Sequence, residues 1–448
     1  MKRLASVVLL ALLSGCAHPD SRHAQVSHEL GKRTGKSLGV ESAPGMAAMP
    51  PGTDLGQPLS DDDVAASALW NNAAFQEVLA ELGLARADVI LAGQLTNPSF
   101  FMLFPAGPKQ LEFYAKIPLE ALWLRPRRVA AAEFESQRLA GRVVQSGLDL
   151  VRDAKLACAE YRLSREKLRL AEQTVELSRQ ISALMRARFD AGDVSELETA
   201  MARIDALSAQ EEIKRLRADT AIAHEKLRHV MGLGTRTASF ELTEQRASVA
   251  TTRAADELVK DGLASRPDLR SAELAIESAG KRLKLARTEI YTLTAIIDAN
   301  ATDNGLDVGP GVEFPIPIFN QNQGNIAIAD ARLEQAVRRY ATVRDQIVLE
   351  VRQSHARWQQ ANQNAAAWSD QLLPELEAAV NQSQKAVDAG DLPPLHALDA
   401  RVKLNAARLH QQLALADRDR AVAELERAIG HRLDLPASPR RTSALSQP

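Results

Sequence analysis

The residue types that most often carry out catalysis are present in this chain, but they are not spaced for it. The nine histidines are scattered, and His224 and His229 stand five residues apart, so one helix face cannot present both to a metal ion. No strand–turn–helix pattern carries a phosphate loop or an exposed nucleophilic serine. We therefore expect no enzyme activity, no catalytic or cofactor-binding residue, no cofactor and no resident metal.

One cysteine lies in a sequence pattern that is typical of covalent lipid attachment. Residues 1–15 combine a basic start with a short apolar run, which is typical of a signal peptide and too short for a spanning helix. The stretch Leu13-Ser14-Gly15-Cys16 resembles the bacterial lipobox, so cleavage before Cys16 and lipidation of that residue are expected. Ala17 follows in place of aspartate, which points to the outer membrane. An ordinary signal peptide followed by a chance cysteine is the alternative.

The composition excludes some classes of partner and favours long helices. The chain has 55 basic and 57 acidic residues and a formal net charge of −2, which gives no reason to expect nucleic acid as a partner. Aromatic residues make up 4% of the chain, which suits helices packed through small side chains better than an aromatic core. With Cys16 acylated, Cys158 has no disulfide partner and is expected to be a small packing residue.

Beyond an N-terminal tether over residues 16–59, the hydrophobic periodicity predicts a first repeat over residues 60–250. It begins with a helix capped near Ser60, and a β-hairpin over residues 97–119 follows. A very long helix then runs to a turn at residues 189–193, and another helix completes the repeat. Leucines recur every seven residues along the long helix, at the spacing of a coiled-coil seam. They are Leu156, Leu163, Leu170, Leu177 and Leu184.

A second repeat over residues 251–432 has the same order. Its β-hairpin covers residues 291–319, its turn covers residues 387–391, and residues 433–448 form a C-terminal tail. Several identities at one shift of 198 residues indicate an internal duplication. They pair Asp190-Ala191-Gly192-Asp193 with Asp388-Ala389-Gly390-Asp391, Leu197 with Leu395, Ala202 with Ala400, Arg203 with Arg401 and Gly232 with Gly430.

Two hairpins give four strands per chain, too few to close a barrel. Their alternating apolar and polar side chains fit strands between lipid and a wet lumen. Open strand edges in hydrocarbon would leave backbone groups unpaired at several kcal/mol each, so strands that enter a membrane require oligomerisation. We therefore predict a fold that is mainly α with a small β part. Duplicated long antiparallel helical hairpins would combine with four strands per chain into a trimeric 12-stranded outer-membrane β-barrel on a periplasmic α-helical barrel.

This order resembles the TolC family of outer-membrane efflux proteins over essentially the whole mature chain. The resemblance is carried by Asn97-Pro98, by Phe314-Pro315-Ile316-Pro317-Ile318-Phe319, by Arg266-Pro267-Asp268-Leu269, by the repeated Asp-Ala-Gly turn and by the lipobox. It implies a homotrimer that acts as the outer-membrane channel of a tripartite efflux or type I secretion-like system. A periplasmic adaptor (membrane fusion protein) and an inner-membrane pump, often of the resistance-nodulation-division type, would open this passive exit duct. The location would be the bacterial outer membrane, with a lipid anchor and a large periplasmic part.

The resemblance also implies functional positions at the periplasmic tip. Counted from Gly390, the two gate acids of the family fall at His396 and Asp399. Three Asp399 carboxylates would favour cations, and His396, where an acid is common, would make conductance sensitive to pH near about 6–7. The alternatives are a solvated Asp399, a packed His396 and purely structural turns. The positions expected to dock the adaptor are Asp190, Gly192, Asp193, Asp388, Gly390 and Asp391.

Two further alternatives stay open. The strands of the first hairpin, Ser99–Phe104 and Leu111–Ile117, are shorter than the roughly 9–11 residues that a tilted spanning strand needs, so the protein is either a short genuine barrel or a periplasmic duct held by lipid only. The other alternative is a periplasmic coiled-coil scaffold or adaptor lipoprotein without channel activity, which would need only one helical hairpin. The cargo, whether metal ions, drugs or other compounds, is not determined by the residues.

Overall fold

A computed structural model gives the structure of residues 22–39, 48–104, 111–234, 240–244, 253–302 and 305–434. These residues hold ten α-helices, one π-helical segment and four β-strands. In chain order they are α1 (Arg22–Thr34), α2 (Asp61–Asn71), α3 (Ala73–Gly93), β1 (Ser99–Leu103), β2 (Glu112–Pro118), α4 (Ala121–Asp190), α5 (Glu196–Val230), α6 (Ala255–Ser265), α7 (Pro267–Thr288), β3 (Thr294–Thr302), β4 (Gly305–Glu313), α8 (Gln323–Ala366), the π segment (Ala367–Leu372), α9 (Leu373–Asp388) and α10 (Pro394–Ile429).

The chain divides into two compact units, which we call the sheet unit and the hairpin unit. The sheet unit holds the four strands, α7, most of α3 and the first parts of α4 and α8. The hairpin unit holds α2, α5, α6, α9, α10 and the remaining parts of α4 and α8. The sheet unit consists of Met1–Val26, Glu77–Gln145 and Pro267–Gln346, and the hairpin unit of Ser27–Gln76, Ser146–Arg266 and Ile347–Pro448.

The four strands form one antiparallel sheet in the order β1-β2-β3-β4. The two hairpins come from different repeats, and pairing of β2 with β3 joins them into one sheet. Pro98 precedes β1 and Pro118 ends β2. Because proline has no N–H, neither residue can donate to a neighbouring strand at this end of the sheet, although Leu119 still donates to the Leu293 carbonyl oxygen at 2.7 Å.

In the hairpin unit, α2 is held against α4 and α5 by a small apolar core. Ser60 caps α2, as the sequence predicted, and exchanges hydrogen bonds with Asp63 in a capping box. Val64 and Leu227 are fully buried in the core beside Cys158. Cys158 is therefore a packing residue, and burial raises the pKa of its thiol well above the ordinary value.

Burial and the raised thiol pKa predict that Cys158 is inert in the folded protein. A thiolate-directed maleimide is expected to leave Cys158 unmodified at pH 8 under native conditions and to modify it fully in denaturant, because only the exposed thiolate reacts. Mass spectrometry of the two samples measures this. Rapid native labelling would contradict the packing of α2 over α4.

The predicted extended tether is wrong over residues 22–34, where α1 forms. Leu30 of α1 is fully buried, and a Cβ added at Gly147 of α4 would lie 2.7 Å from a Leu30 methyl carbon, so the helix docks where the glycine leaves room. Arg33 donates to the carbonyl oxygens of Ser265 at 2.5 Å and Gly430 at 3.2 Å. These carbonyls end α6 and α10, where a cation and a donor are both favourable.

Three helices predicted as continuous are interrupted. Asn72 separates α2 from α3, and its side-chain oxygen accepts the Phe75 N–H at 3.1 Å to begin the new helix. Arg266 separates α6 from α7, because Pro267 restricts the residue before it to extended backbone. The π segment precedes Pro374, whose ring and missing N–H disturb a regular α-helix one turn earlier.

Candidate functional site

The strand register separates the sheet into an apolar face and a charged face. Partners in an antiparallel ladder share a face, and neighbours along a strand alternate. The apolar face carries Phe100, Met102, Phe113, Ala115, Ile117, Ala295, Ile297, Ala299, Leu306, Val308, Pro310 and Val312. The charged face carries Glu112, Tyr114, Lys116, Asp298, Asn300, Asp307 and Glu313 alongside smaller and apolar residues.

The charged face is acidic. The register sets Glu112, Asn300 and Asp307 in one row, and Asp298 stands two residues before Asn300 on β3. Asn300 donates to the Asp298 carboxylate at 2.8 Å. Lys116 forms a 2.6 Å ion pair with Glu313. On this face the described strands carry four carboxylates and one ammonium group. Three negative charges per chain are therefore unbalanced.

Both edges of the sheet are open. Within the described residues, β1 pairs only with β2, and β4 pairs only with β3. The apolar face is exposed in the single chain, with Val308 61% and Val312 66% accessible. A sheet with two unpaired edges and one fully apolar face is incomplete as a single chain, since both features are costly unless a neighbour and an apolar medium cover them.

The two tips of the hairpin unit repeat one backbone geometry. Gly192 has φ +83° and Gly390 has φ +82°, a left-handed conformation that glycine adopts without strain. The N–H of Asp193 donates to the Arg188 carbonyl at 2.8 Å, and Asp391 donates to Ala386 at 2.8 Å. The duplication in sequence is therefore a duplication in structure at the tips.

The aspartates predicted to dock a partner surround these turns. Asp190, Asp193, Asp388 and Asp391 are all exposed. The two that end helices have neighbours in their own helix: Arg186 lies 3.1 Å from Asp190, and Gln384 donates to Asp388 at 2.8 Å. Asp193 and Asp391, one residue past each glycine, are left as exposed carboxylates at the tips.

The helices that leave the two turns differ in their first residues. Ser195 caps α5 and exchanges hydrogen bonds with Glu198, and the backbone and hydroxyl of Ser195 hold the pKa of Glu198 below its ordinary value. α10 begins instead at Pro394 after Pro393, without a side-chain cap. Glu198 is therefore committed to capping, a role that the second tip does not use.

His396 and Asp399 lie three residues apart near the start of α10, so they share one helix face. Both are exposed in the single chain, and neither side chain has a hydrogen bond or ion pair within the described residues. His396 is thus not packed against its own chain. At the 198-residue shift, Met201 occupies the place of Asp399 in the first repeat and is 51% exposed. The exposed carboxylate at this helix position is therefore found in the second repeat and not in the first.

The other predicted positions give no further site. Cys16 lies outside the described residues. No group of three or more His, Cys, Asp or Glu side chains that could hold a metal occurs in the described part of the chain. Among the same residues, no helix is both long and apolar enough to cross a membrane. Gly35-Lys36-Ser37-Leu38-Gly39 has the Gly-x-Ser-x-Gly spacing, but it follows α1 directly without a strand, and Gly39 packs against Trp70.

The sequence alone does not predict the acidic row on the sheet. The alternation along each strand separates Glu112 from its apolar neighbours, but it does not show which residue of the second hairpin lies beside it. That information requires the β2–β3 register.

Comparisons with known proteins give the following similarities. The sequence model of a family described as outer membrane efflux protein matches residues 112–233 and 258–431. The cobalt-zinc-cadmium resistance protein CzcC of Cupriavidus metallidurans is 22% identical over 383 residues, which cover 83% of this chain and 90% of that protein. The cation efflux system protein CusC of Escherichia coli K12 is 25% identical over 276 residues, 58% of this chain and 59% of that protein.

Solved structures share the fold. A crystal structure of CusC, described for its transmembrane channel formation, has a TM-score of 0.65 at 20% identity and covers 82% of this chain and 91% of its own. The outer-membrane channel OprN has a TM-score of 0.68 at 16% identity and covers 88% and 98%. The predicted fold class, duplicated long helices with a small sheet, is confirmed by these neighbours.

Proposed function

Because the chain belongs to the outer membrane efflux protein family, we propose that three copies of it form a passive duct that releases metal cations through the outer membrane. The chain is an outer-membrane channel component of tripartite efflux pumps, which confirms the resemblance stated from the sequence. The family is one of channels and not of enzymes. Its members work as trimers with an adaptor and an inner-membrane pump. The chain is located in the outer membrane with a lipid anchor and a large periplasmic part.

The observation that carries the trimeric duct is the incomplete sheet. β4 of one copy can pair with β1 of the next, because these are the two open edges. Three copies then give twelve strands, an even number within the range of outer-membrane barrels. Closure would turn the apolar face to lipid and the charged face to the lumen. It would thereby pair the two open strand edges and cover the exposed apolar face.

The charge of the lumen supports cations as cargo. Three unbalanced carboxylates per chain become nine in a trimer, and acidic rings in a pore attract cations and repel anions. CzcC and CusC carry names that refer to cobalt, zinc, cadmium and cation efflux. The preference of the acidic lumen for cations therefore agrees with the names of these relatives.

The tips supply the gate and the docking surface of the proposed duct. Three copies of Asp399 would form the constriction, and His396 on the same helix face would add an imidazole ring below or above it. The adaptor would contact the two turns through Asp190, Gly192, Asp193, Asp388, Gly390 and Asp391. Cys16 would carry the lipid, and a pump of the resistance-nodulation-division type is the partner proposed at the inner membrane.

A mass and conductance measurement tests the duct directly. Full-length protein purified in detergent is expected to have the mass of three chains, and in a planar bilayer it is expected to give discrete conductance steps with a preference for cations. Both results follow from edge pairing of β4 with β1 around an acidic lumen. A monomer without conductance would favour the periplasmic scaffold or adaptor instead.

A further inference from the structure

In the sheet unit, α7 packs against two neighbouring helices, α4 and the first part of α8. The Ser271 hydroxyl of α7 donates to the Arg138 carbonyl oxygen of α4 at 3.1 Å. On its other side α7 contributes Leu283 and Ala286 to a small buried core that they share with Ala329 of α8. A groove along α7 can therefore be lined by residues of three helices.

One such groove has a volume of about 290 Å³ and a floor of small side chains. α7 contributes Ala275 and Ala279, one turn apart, and α8 contributes Ala329 and Ala336, two turns apart. Ala279 and Ala329 are buried, so the two helices are in contact beneath the groove. Because alanine has no atoms beyond Cβ, the space above these residues stays open, and longer side chains around it form a rim.

We call this feature the arginine groove, because its rim carries three guanidinium groups and one carboxylate among its lining residues. Arg282 stands on α7, and Arg332 and Arg339 stand two turns apart on α8, about 10 Å along the helix. The carboxylate belongs to Glu135 of α4, and it forms a 2.5 Å ion pair with Arg138 of the same helix.

The chain itself does not neutralise the positive charge of the rim. Arg332 and Arg339 have no hydrogen bond or ion pair within the described residues. Arg282 lies 3.9 Å from Glu135, at the outer limit of an ion pair. Burial alone would raise the pKa of Glu135, but the hydrogen bond and charge of Arg138, together with the charge of Arg282, hold this pKa below its ordinary value. Glu135 is therefore ionised and already paired, and two guanidinium groups are left without a counter-charge.

The donors of the rim suit a phosphate group. A guanidinium group presents a planar fork of N–H donors that matches two phosphate oxygens. The oxygens of a phosphate group point in several directions, so one group can accept from arginines on two helices at once. A carboxylate has only two oxygens in one plane and can satisfy fewer of these donors. Gln335 adds an amide group to the same lining.

We propose that the arginine groove binds a phosphate group through Arg282, Arg332 and Arg339. The ligand is opposite in charge to the cations proposed as cargo, so this inference goes beyond the duct and does not depend on it. Two sources can supply the group. One is dissolved inorganic phosphate. The other is a phospholipid headgroup, because Arg282 lies about 9 Å from the sheet-side end of α7.

Calorimetric titration of the full-length protein in a maltoside detergent, which carries no phosphate, tests the proposal. Inorganic phosphate is one probe and dihexanoyl phosphatidylglycerol is the other, and both are titrated at the same ionic strength. Arg332→Gln and Arg339→Gln are each expected to weaken binding by about tenfold, since each removes one charge-assisted contact. Acetate, titrated in the same way, is expected to bind at least about tenfold more weakly than the phosphate probe.

Arg338→Gln on the same helix is the matched control. The Arg338 side chain is 79% exposed, forms a 2.6 Å ion pair with Glu334 and does not line the groove. The variant loses the same charge, yet its affinity for both probes is expected to equal that of the original protein. The circular dichroism spectrum and the mass in detergent show whether each variant keeps its fold and assembly.

The outcomes separate the two sources and expose a wrong assignment. Binding of inorganic phosphate that depends on Arg332 and Arg339 supports the proposal with a dissolved ligand, and binding of the lipid alone with the same dependence supports it with a headgroup. Absence of binding by both probes overturns it. Acetate binding as tight as that of phosphate, or a loss of affinity in Arg338→Gln equal to that of the groove variants, overturns it as well.

Discussion

Replacing Asp399 with asparagine is expected to weaken the cation preference of the channel by about tenfold, which corresponds to ~1.4 kcal/mol. The substitution removes three carboxylates from one constriction of the proposed trimer, and no side chain of the same chain neutralises them in the described structure. The reversal potential across a planar bilayer under a salt gradient measures the preference. Block by Zn²⁺ added at the tip side is expected to weaken in parallel, since the same carboxylates would attract the ion.

A control variant separates the gate from the general charge of the tips. Asp205→Asn makes the same charge change on an exposed residue of α5, the corresponding helix of the first tip. It is expected to leave both the reversal potential and the Zn²⁺ block unchanged. Equal effects of the two variants, or an Asp399→Asn channel indistinguishable from the original, would show that Asp399 is only a solvated helix residue.

Replacing Val308 with arginine is expected to abolish assembly of the channel. Val308 lies on the apolar face near the middle of β4, where three copies would carry three guanidinium groups into lipid. A lipid-facing arginine near the bilayer midplane costs about 2–4 kcal/mol per copy, so the cost to a trimer is about threefold larger. Loss of the trimeric mass in detergent and loss of the protein from the outer-membrane fraction measure the effect.

The neighbouring position supplies the matched control. Asp307 precedes Val308 on β4 and lies on the charged face. Asp307→Arg is expected to assemble normally, because its guanidinium would project into the wet lumen, and to reduce the cation preference. Normal assembly of the Val308 variant together with failure of the Asp307 variant would reverse the assignment of the two faces.

The two repeats have diverged in the residues that follow the tip turns. Glu198 and Ser195 cap the start of α5. At the matching position of the second repeat stands His396, and the start of α10 is fixed by two prolines instead. Met201 presents a thioether where Asp399 presents a charge. In the proposed duct both hairpins of each chain would form the wall, whereas one of them is enough to line the constriction. This difference is why the proposed gate is placed in the second repeat.

Much of the fold follows from local patterns. The turns at Gly192 and Gly390 could be predicted because a tight reversal needs a left-handed residue, and glycine takes that conformation without strain. The cap at Ser60 and the alternation along the strands are equally local. The interruptions of the helices were missed, because a periodic pattern continues through a single disturbed turn such as the one before Pro374.

Hydrophobic periodicity, turn residues and the number of strands were enough to predict the duplication, the long helices and the tip turns, and to predict oligomerisation for strands that enter a membrane. By contrast, the acidic row of Glu112, Asn300 and Asp307 and the docking of Leu30 over Gly147 are seen only in the folded structure. Both depend on which distant segments meet. Contacts between distant segments are selected by the shape and charge of surfaces that exist only after folding, so no local pattern encodes them.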